Sequence, residues 1–199
     1  MNRLNKIQSN LILFTICVLS RAITSIYYIE DIDSLRFALG IQDYSIINLE
    51  PHFPGYPIFI FFAKIVFFFS NSLGITFSIM GGISIFIIIH FTCKLARIEL
   101  NSLAGLFCSA IIFFNPLLWL LSNRYMPDIF GAAIMVAALY FLILHTDFNY
   151  RLMIGAFLTG ILAGTRLSYL PVLIVPAALV VYKSETRKYL FYSFVFGIM

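Results

Sequence analysis

Charge is what this 199-residue chain has least of. Asp, Glu, Lys and Arg make up 11% of it, against 61% hydrophobic and 17% aromatic residues. That leaves too little polar surface to cover a soluble globule, so the chain reads as an integral membrane protein. Strand-period alternation is missing as well. Runs such as Ile58 to Phe69 and Ile83 to His90 do not alternate in polarity, which excludes a barrel of the outer-membrane kind. The formal net charge of +4 is spread among short loops with no basic stripe and no interleaved aromatics. No nucleic-acid partner is implied. Cysteine is scarce: Cys17, Cys93 and Cys108 lie in or beside apolar segments, without C-x-x-C or metal-ligand spacing, and read as small packing residues. Low-complexity tracts, domain boundaries and internal repeats are also absent.

What is present is a succession of apolar segments. A helix needs about 20 residues to cross a hydrocarbon layer of about 30 Å, and candidate spans fall at 10 to 28, 57 to 70, 75 to 93, 102 to 121, 128 to 146, 152 to 165 and 169 to 182, with another from about 189. The expected fold is all-α, a polytopic transmembrane bundle of about seven to eight membrane segments forming one module over residues 1 to 199. The last run, Phe194 to Met199, stops in apolar sequence without a flanking anchor. It reads as the cut end of a longer bundle. Arg3 and Lys6 before Leu11 to Leu19 resemble a signal peptide, but no small-x-small cleavage site follows and Arg21 interrupts the run. A retained first span is expected.

Loop charge orients the bundle. Arg3 and Lys6 place the N-terminus in the cytoplasm and the acidic loop after the first span outside. Strict alternation would then put Lys183 to Lys188 outside, against the positive-inside tendency. The short segment 57 to 70, which contains Lys64, is therefore read as dipping or tilting instead of crossing. Lys94 to Arg97 and Lys183 to Lys188 become cytoplasmic, and the loops near Arg124 and Arg166 join the acidic loop outside. A bacterial inner membrane and an endoplasmic reticulum both fit. Richness in Ile, Phe and Asn leans toward an AT-rich genome and the bacterial membrane.

The outer loop, residues 29 to 56, holds the densest polar sequence. Tyr27 and Tyr28 are interfacial aromatics, and Glu30, Asp31 and Asp33 follow them. A carboxylate there can be partly desolvated and made basic enough to deprotonate a hydroxyl. Alternatively, Asp33 caps a helix beginning at Ser34 and the other acids are solvated. Phe37, Ile41 and Tyr44 share one side of a short amphipathic helix over Leu35 to Tyr44, lying in the interface. Pro51, Pro54 and Pro57 forbid regular helix through the PHFPGYP segment, and Gly55 permits an unusual backbone angle. His52 could bond a phosphate oxygen or orient a carboxylate; it could equally be an ordinary loop histidine.

Two further polar segments are Ser122 to Asp128 and Gly164 to Tyr169. The guanidinium groups of Arg124 and Arg166 suit a phosphate at the membrane boundary. Snorkelling, or an Arg124–Asp128 pair at helical spacing, is the structural alternative. Arg21 lies roughly two turns inside a span, where a charge must face a polar cavity or a partner such as Asp31 or Asp33. Gly81-Gly82, Gly155, Gly160 and Gly164 read as close helix packing.

The string DSLRFALGIQDYSIINLEPHFPGYPIFIFFAKI, Asp33 to Ile65, resembles the Asp-Ser … Pro-His-Pro-Pro-Gly-Tyr-Pro pattern of GT-C-type membrane glycosyltransferases related to protein O-mannosyltransferases and lipid A aminoarabinose transferases. Phe53 stands where that branch usually has proline. Met126-Pro127-Asp128 and Arg166 to Pro171 resemble later segments of the same branch. The resemblance implies sugar transfer from a polyprenyl-phosphate donor to an acceptor lipid, glycan or protein at the outer or lumenal face, with inversion. It implies Asp33 as catalytic base, with Asp31 the competing choice. It also implies Arg124 and Arg166 for the carrier phosphate and His52 for shaping the site, with Arg21 and Tyr56 as further substrate-binding candidates. No cofactor is expected. A divalent metal on Asp31 and Asp33 is conceivable, but no loop completes a ligand set. The competing class is a non-catalytic membrane protein, either a transporter or flippase for lipid-linked sugars or an inactive family member. A transporter would place ionisable groups along a path at mid-membrane, where Arg21, Lys64 and His90 are the candidates.

Overall fold

A computed structural model describes residues 3–143, 150–183 and 187–199. The described residues form helices α1 (Arg3–Ile23), α2 (Ile32–Gln42), α3 (Pro57–Ser70), α4 (Leu73–Leu95), α5 (Leu103–Phe113), α6 (Pro116–Leu121), α7 (Asp128–Ile143), α8 (Tyr150–Thr165), α9 (Leu170–Lys183) and α10 (Arg187–Ile198), and contain no β-strand beyond a single Ser45–Glu50 bridge. The all-α expectation holds at that level. Ser184, Glu185 and Thr186, central to the basic loop used for orientation, lie outside the described residues.

Length separates the helices into two groups. Lys6–Ile23 and Leu73–Leu95 are long and apolar enough to cross a membrane, while the other apolar helices run to 10–17 residues. At 1.5 Å per residue, the 14 residues of α3 reach about 21 Å, well short of a bilayer core. Full-length spans number two among the described residues, fewer than the seven to eight segments expected from hydropathy.

The expected span 102 to 121 is two helices, and local chemistry explains the break. Pro116 lacks an N–H and starts α6, and the Asn115 side chain accepts a hydrogen bond from the Leu118 amide at 3.0 Å, capping the new helix.

In the packing, α4 lies between α1 and α7, α7 packs on α8, and α8 packs on α10, while α3 leans on α4 and α8. Close approach uses small residues. A side chain at Gly82 would strike the α1 backbone at Cys17 and Val18, and one at Gly160 would strike Phe194 and Gly197 of α10. Gly164 instead meets Ile58 of α3, so the two glycines of the expected GxxxG pair face different helices.

Arg21 is fully buried, and of the two expected alternatives, a polar surrounding or a pairing with Asp31 or Asp33, the pairing is not formed. Its Nε donates to Ser122 Oγ at 2.7 Å, Nη1 to Ser20 Oγ at 3.1 Å and Nη2 to the Phe113 carbonyl at 3.1 Å. Its guanidinium lies 3.6 Å from the Trp119 ring centroid and 4.8 Å from that of Phe113. The charge is thus stabilised by oxygen acceptors and two ring faces, without a carboxylate. Arg21→Ala orphans the Phe113 carbonyl and empties the space over Trp119, so a loss of about 2–4 kcal/mol is expected. Trp119 is the single tryptophan, so thermal unfolding followed by tryptophan emission checks this directly. An unchanged midpoint would remove Arg21 from the scaffold.

Candidate active site

The proline-rich segment after α2 is built onto α2 and α3 by aromatic contacts. Phe37 of α2 is fully buried and takes the rings of His52, Tyr56 and Phe59 edge-on at centroid distances of 5.6, 5.0 and 5.7 Å. Such geometry sets ring edges against ring faces. Gly40 lets buried Pro51 lie against α2, where any Cβ would meet the proline ring. Gly55 has φ 88°, the positive angle its residue type allows. Tyr56 is less expected: it holds φ 46° and ψ 48° immediately before Pro57 begins α3. A left-handed backbone at a non-glycine residue costs on the order of 1–2 kcal/mol. Here it accompanies a buried tyrosine whose hydroxyl is bonded on both sides.

Those bonds define a polar line. Arg166 Nη2 pairs with Asp128 Oδ1 at 2.8 Å, and Nη1 donates to Tyr56 Oη at 3.4 Å. Tyr56 Oη lies 3.3 Å from His52 Nε2, and His52 Nδ1 lies 3.5 Å from Asp33 Oδ1. Arginine can only donate, so Tyr56 accepts from it, the direction of the Tyr56–Nε2 bond follows the His52 tautomer, and Nδ1 faces Asp33. At 3.5 Å that last contact is electrostatic instead of a hydrogen bond, and Nδ1 has no hydrogen-bond partner. Arg36, one turn on, reaches the same Asp33 Oδ1 at 3.5 Å. Both contacts reach Oδ1, and among the described residues Oδ2 has no partner, on a side chain that is 43% exposed.

Asp31 is occupied quite differently. It is the N-cap of α2, its Oδ1 accepting from the Ser34 amide at 2.7 Å, and its Oδ2 is held by Arg124 Nη2. The cap is therefore Asp31, not Asp33, and the helix begins two residues earlier than a cap at Asp33 would allow. Arg124 also binds Glu30 Oε2 through Nε at 2.5 Å. An Arg124–Asp128 pair at helical spacing is not formed, since each residue has another partner. Beside this cluster, Tyr125 stacks on Phe77 at 4.6 Å and donates its hydroxyl to the Ile26 carbonyl at 2.7 Å.

Asp33, His52, Tyr56 and Arg166 come together, and Asp31 forms a neighbouring cluster with Arg124, which reaches it from the segment between α6 and α7. Arg21 belongs to neither group. Arg36 and Asp128 complete the site without having been singled out as site residues, and Glu30, named with the acidic cluster, joins it through Arg124. The i, i+3 spacing of Asp33 and Arg36 is a readable signal, whereas the Asp128–Arg166 pair links distant segments and has none. Gly131 lies one turn beyond Asp128 on α7 and lets Arg166 pass across the helix, since a Cβ there would meet the Arg166 Cβ at 2.7 Å. Among the described residues, no three of His, Cys, Asp and Glu converge as a metal-binding group.

Compared with known proteins, the chain matches no family model, no curated protein and no solved structure.

The amide of Ser34 above all, with the Arg124 charge contributing, pulls the Asp31 carboxyl below its ordinary value of 3.8. A group depressed in the folded state stabilises the fold above its unfolded pKa and loses that contribution as pH falls through the folded value. Acidification below about pH 4 is therefore expected to loosen the α2 cap and the Arg124 tether. Unfolding midpoints measured across this range check it: Asp31→Asn should flatten the acid-side slope, and an unaltered slope would exclude Asp31 as its source.

Proposed function

We propose that this chain is a multi-pass membrane glycosyltransferase of the GT-C type, built of about seven to eight membrane segments and placed in a bacterial inner membrane. It would move a sugar from a polyprenyl-phosphate donor to an acceptor lipid, glycan or protein at the outer face. The observation that carries this reading is Asp33, whose Oδ1 is steadied by His52 and Arg36 while Oδ2 stands open and partly exposed. Asp31 has both oxygens engaged, which supports Asp33 as the base.

In the proposed reaction, Asp33 Oδ2 takes the proton of an acceptor hydroxyl as its oxygen attacks the anomeric carbon from the face opposite the carrier. The bond between that carbon and the phosphate oxygen breaks, configuration inverts, and the carrier leaves as a lipid phosphate. The developing negative charge needs cations held in place. Arg166 is the better placed of the two arginines. Among the described residues it faces a single carboxylate and its buried Nε has no partner, whereas Arg124 is shared between two carboxylates. His52 and Tyr56 act as positioning residues, joining Arg166 to Asp33 so that leaving-group and base sides move together. Arg21, with its donors used internally, is assigned to the scaffold.

A second reading, a non-catalytic membrane protein such as a lipid-linked-sugar flippase or an inactive family member, draws on one observation: Arg124 and Arg166 are already paired with acids. Activity separates the two. Asp33→Asn in the full-length protein is expected to lower transfer from a polyprenyl-phosphate sugar by at least about a hundredfold, with expression and membrane insertion unchanged. Transfer at the wild-type rate in that variant removes Asp33 as the base. Orientation has its own test. Asn48 is exposed at the tip of the outer loop, so Asn48→Cys is expected to react with an impermeant maleimide added outside intact cells, and labelling only after permeabilisation would invert the assignment.

A further inference from the structure

A second polar site lies at the other end of the α1–α4 pair. The two helices run antiparallel: Gly74 adjoins Ile26 and Gly82 adjoins Cys17, while His90 bonds Asn10 at 2.8 Å. The pair therefore carries the acidic loop at one end and a cavity of about 220 Å³ at the other, lined by Lys6, Asn10, His90, Lys94, Glu99 and Asn101 among others. At about 30 Å³ per water this is room for about seven waters, enough for a phosphate group and its first shell.

Among the described residues the lining has unspent positive charge. Lys6 pairs with Glu99 at 2.6 Å. Lys94 has no carboxylate partner among the described residues; its ammonium lies over the rings of Phe91 and Tyr140, 5.6 and 5.4 Å from their centroids. Ring faces attract a cation but do not neutralise it. The α4 C-terminus beside Lys94 supplies a partial negative charge of roughly half a unit, so the lining contributed by the described residues is net positive. The neutral groups are already fixed. Asn10 Nδ2 donates to the Lys6 carbonyl at 2.7 Å, so its Oδ1 must accept from His90 Nδ1. On the positive-inside reading, this end faces the cytoplasm, whose leaflet is anionic, and basic pockets between membrane helices on that side suit acidic lipid headgroups.

We infer that the cavity between the N-terminal end of α1 and the C-terminal end of α4 binds the phosphate headgroup of an anionic phospholipid, with Lys94 as the principal cation and the Lys6–Glu99 pair as its rim. The inference rests on the membrane reading and not on the transfer chemistry, so Asp33→Asn is expected to leave it untouched.

The test uses the full chain reconstituted in mixed phosphatidylcholine and phosphatidylglycerol bilayers, with the phosphatidylglycerol retained per chain counted by native mass spectrometry. Lys94→Gln is expected to lower retention about fivefold, the effect of one surface cation, and Lys94→Arg to preserve it. Glu99→Gln, by releasing Lys6, is expected to raise retention. Unchanged Trp119 emission shows that each variant is folded, and a merely structural role for the lysine would not give opposite signs at residues 94 and 99. Wild-type retention in Lys94→Gln, or reduced retention in Glu99→Gln, overturns the proposal. So does stabilisation by inorganic phosphate with no preference for phosphatidylglycerol, which would make the ligand a soluble phosphate.

Discussion

A guanidinium buried among apolar side chains must find oxygen acceptors and ring faces, and much of the acidic end of this protein follows from how Arg21 meets that demand. Its bonds to Ser122 and to the Phe113 carbonyl fix the turn after α6 against α1. That turn continues directly into Arg124 and Tyr125, which hold the acidic residues and the Ile26 carbonyl. A charge in the first helix thus sets, through a few residues of backbone, where the second carboxylate cluster stands.

The two acidic residues of α2 illustrate how one helical turn assigns different roles. Asp31 precedes the helix and is used up by the amide it caps and by Arg124. Asp33 lies inside the first turn, where its own helix supplies Arg36 and the proline-rich segment supplies His52. Residue type is the same in both, and the difference arises from position relative to the cap. The strained backbone at Tyr56 belongs to the same economy of placement, because it holds the hydroxyl that connects His52 with Arg166 across α3 and α8.

Hydropathy made the helical elements legible: the expected segments at 57 to 70 and 128 onward begin as α3 and α7 do, and Phe37 and Ile41 mark α2, which starts three residues before the expected Leu35 and ends before Tyr44. It did not reveal which apolar segments reach membrane-spanning length, because local capping decides that; Asn115 and Pro116 divide one run into two short helices. Most nominated site residues were legible because they stand as polar islands between apolar runs. Their pairing was not. Arg166 with Asp128, Arg124 with Glu30, and Arg21 with Ser122 all join segments far apart in sequence, and such contacts leave no periodic signature. The left-handed angle at Tyr56 was hidden as well, since the neighbouring Gly55 attracts the expectation of positive φ.

The shortness of α3 has a physical consequence for a bilayer around it. A helix of 14 residues presents an apolar length of about 21 Å against a hydrocarbon thickness of about 30 Å. Hydrophobic mismatch of that size is relieved by thinning the adjacent leaflet and drawing headgroups and water inward. Because α3 starts directly after Tyr56, the depression would form beside the polar line from Asp128 to Asp33. On the proposed transferase reading, a lipid-borne phosphate would then approach Arg166 with its tail still in hydrocarbon, and the membrane itself would contribute one wall of the site.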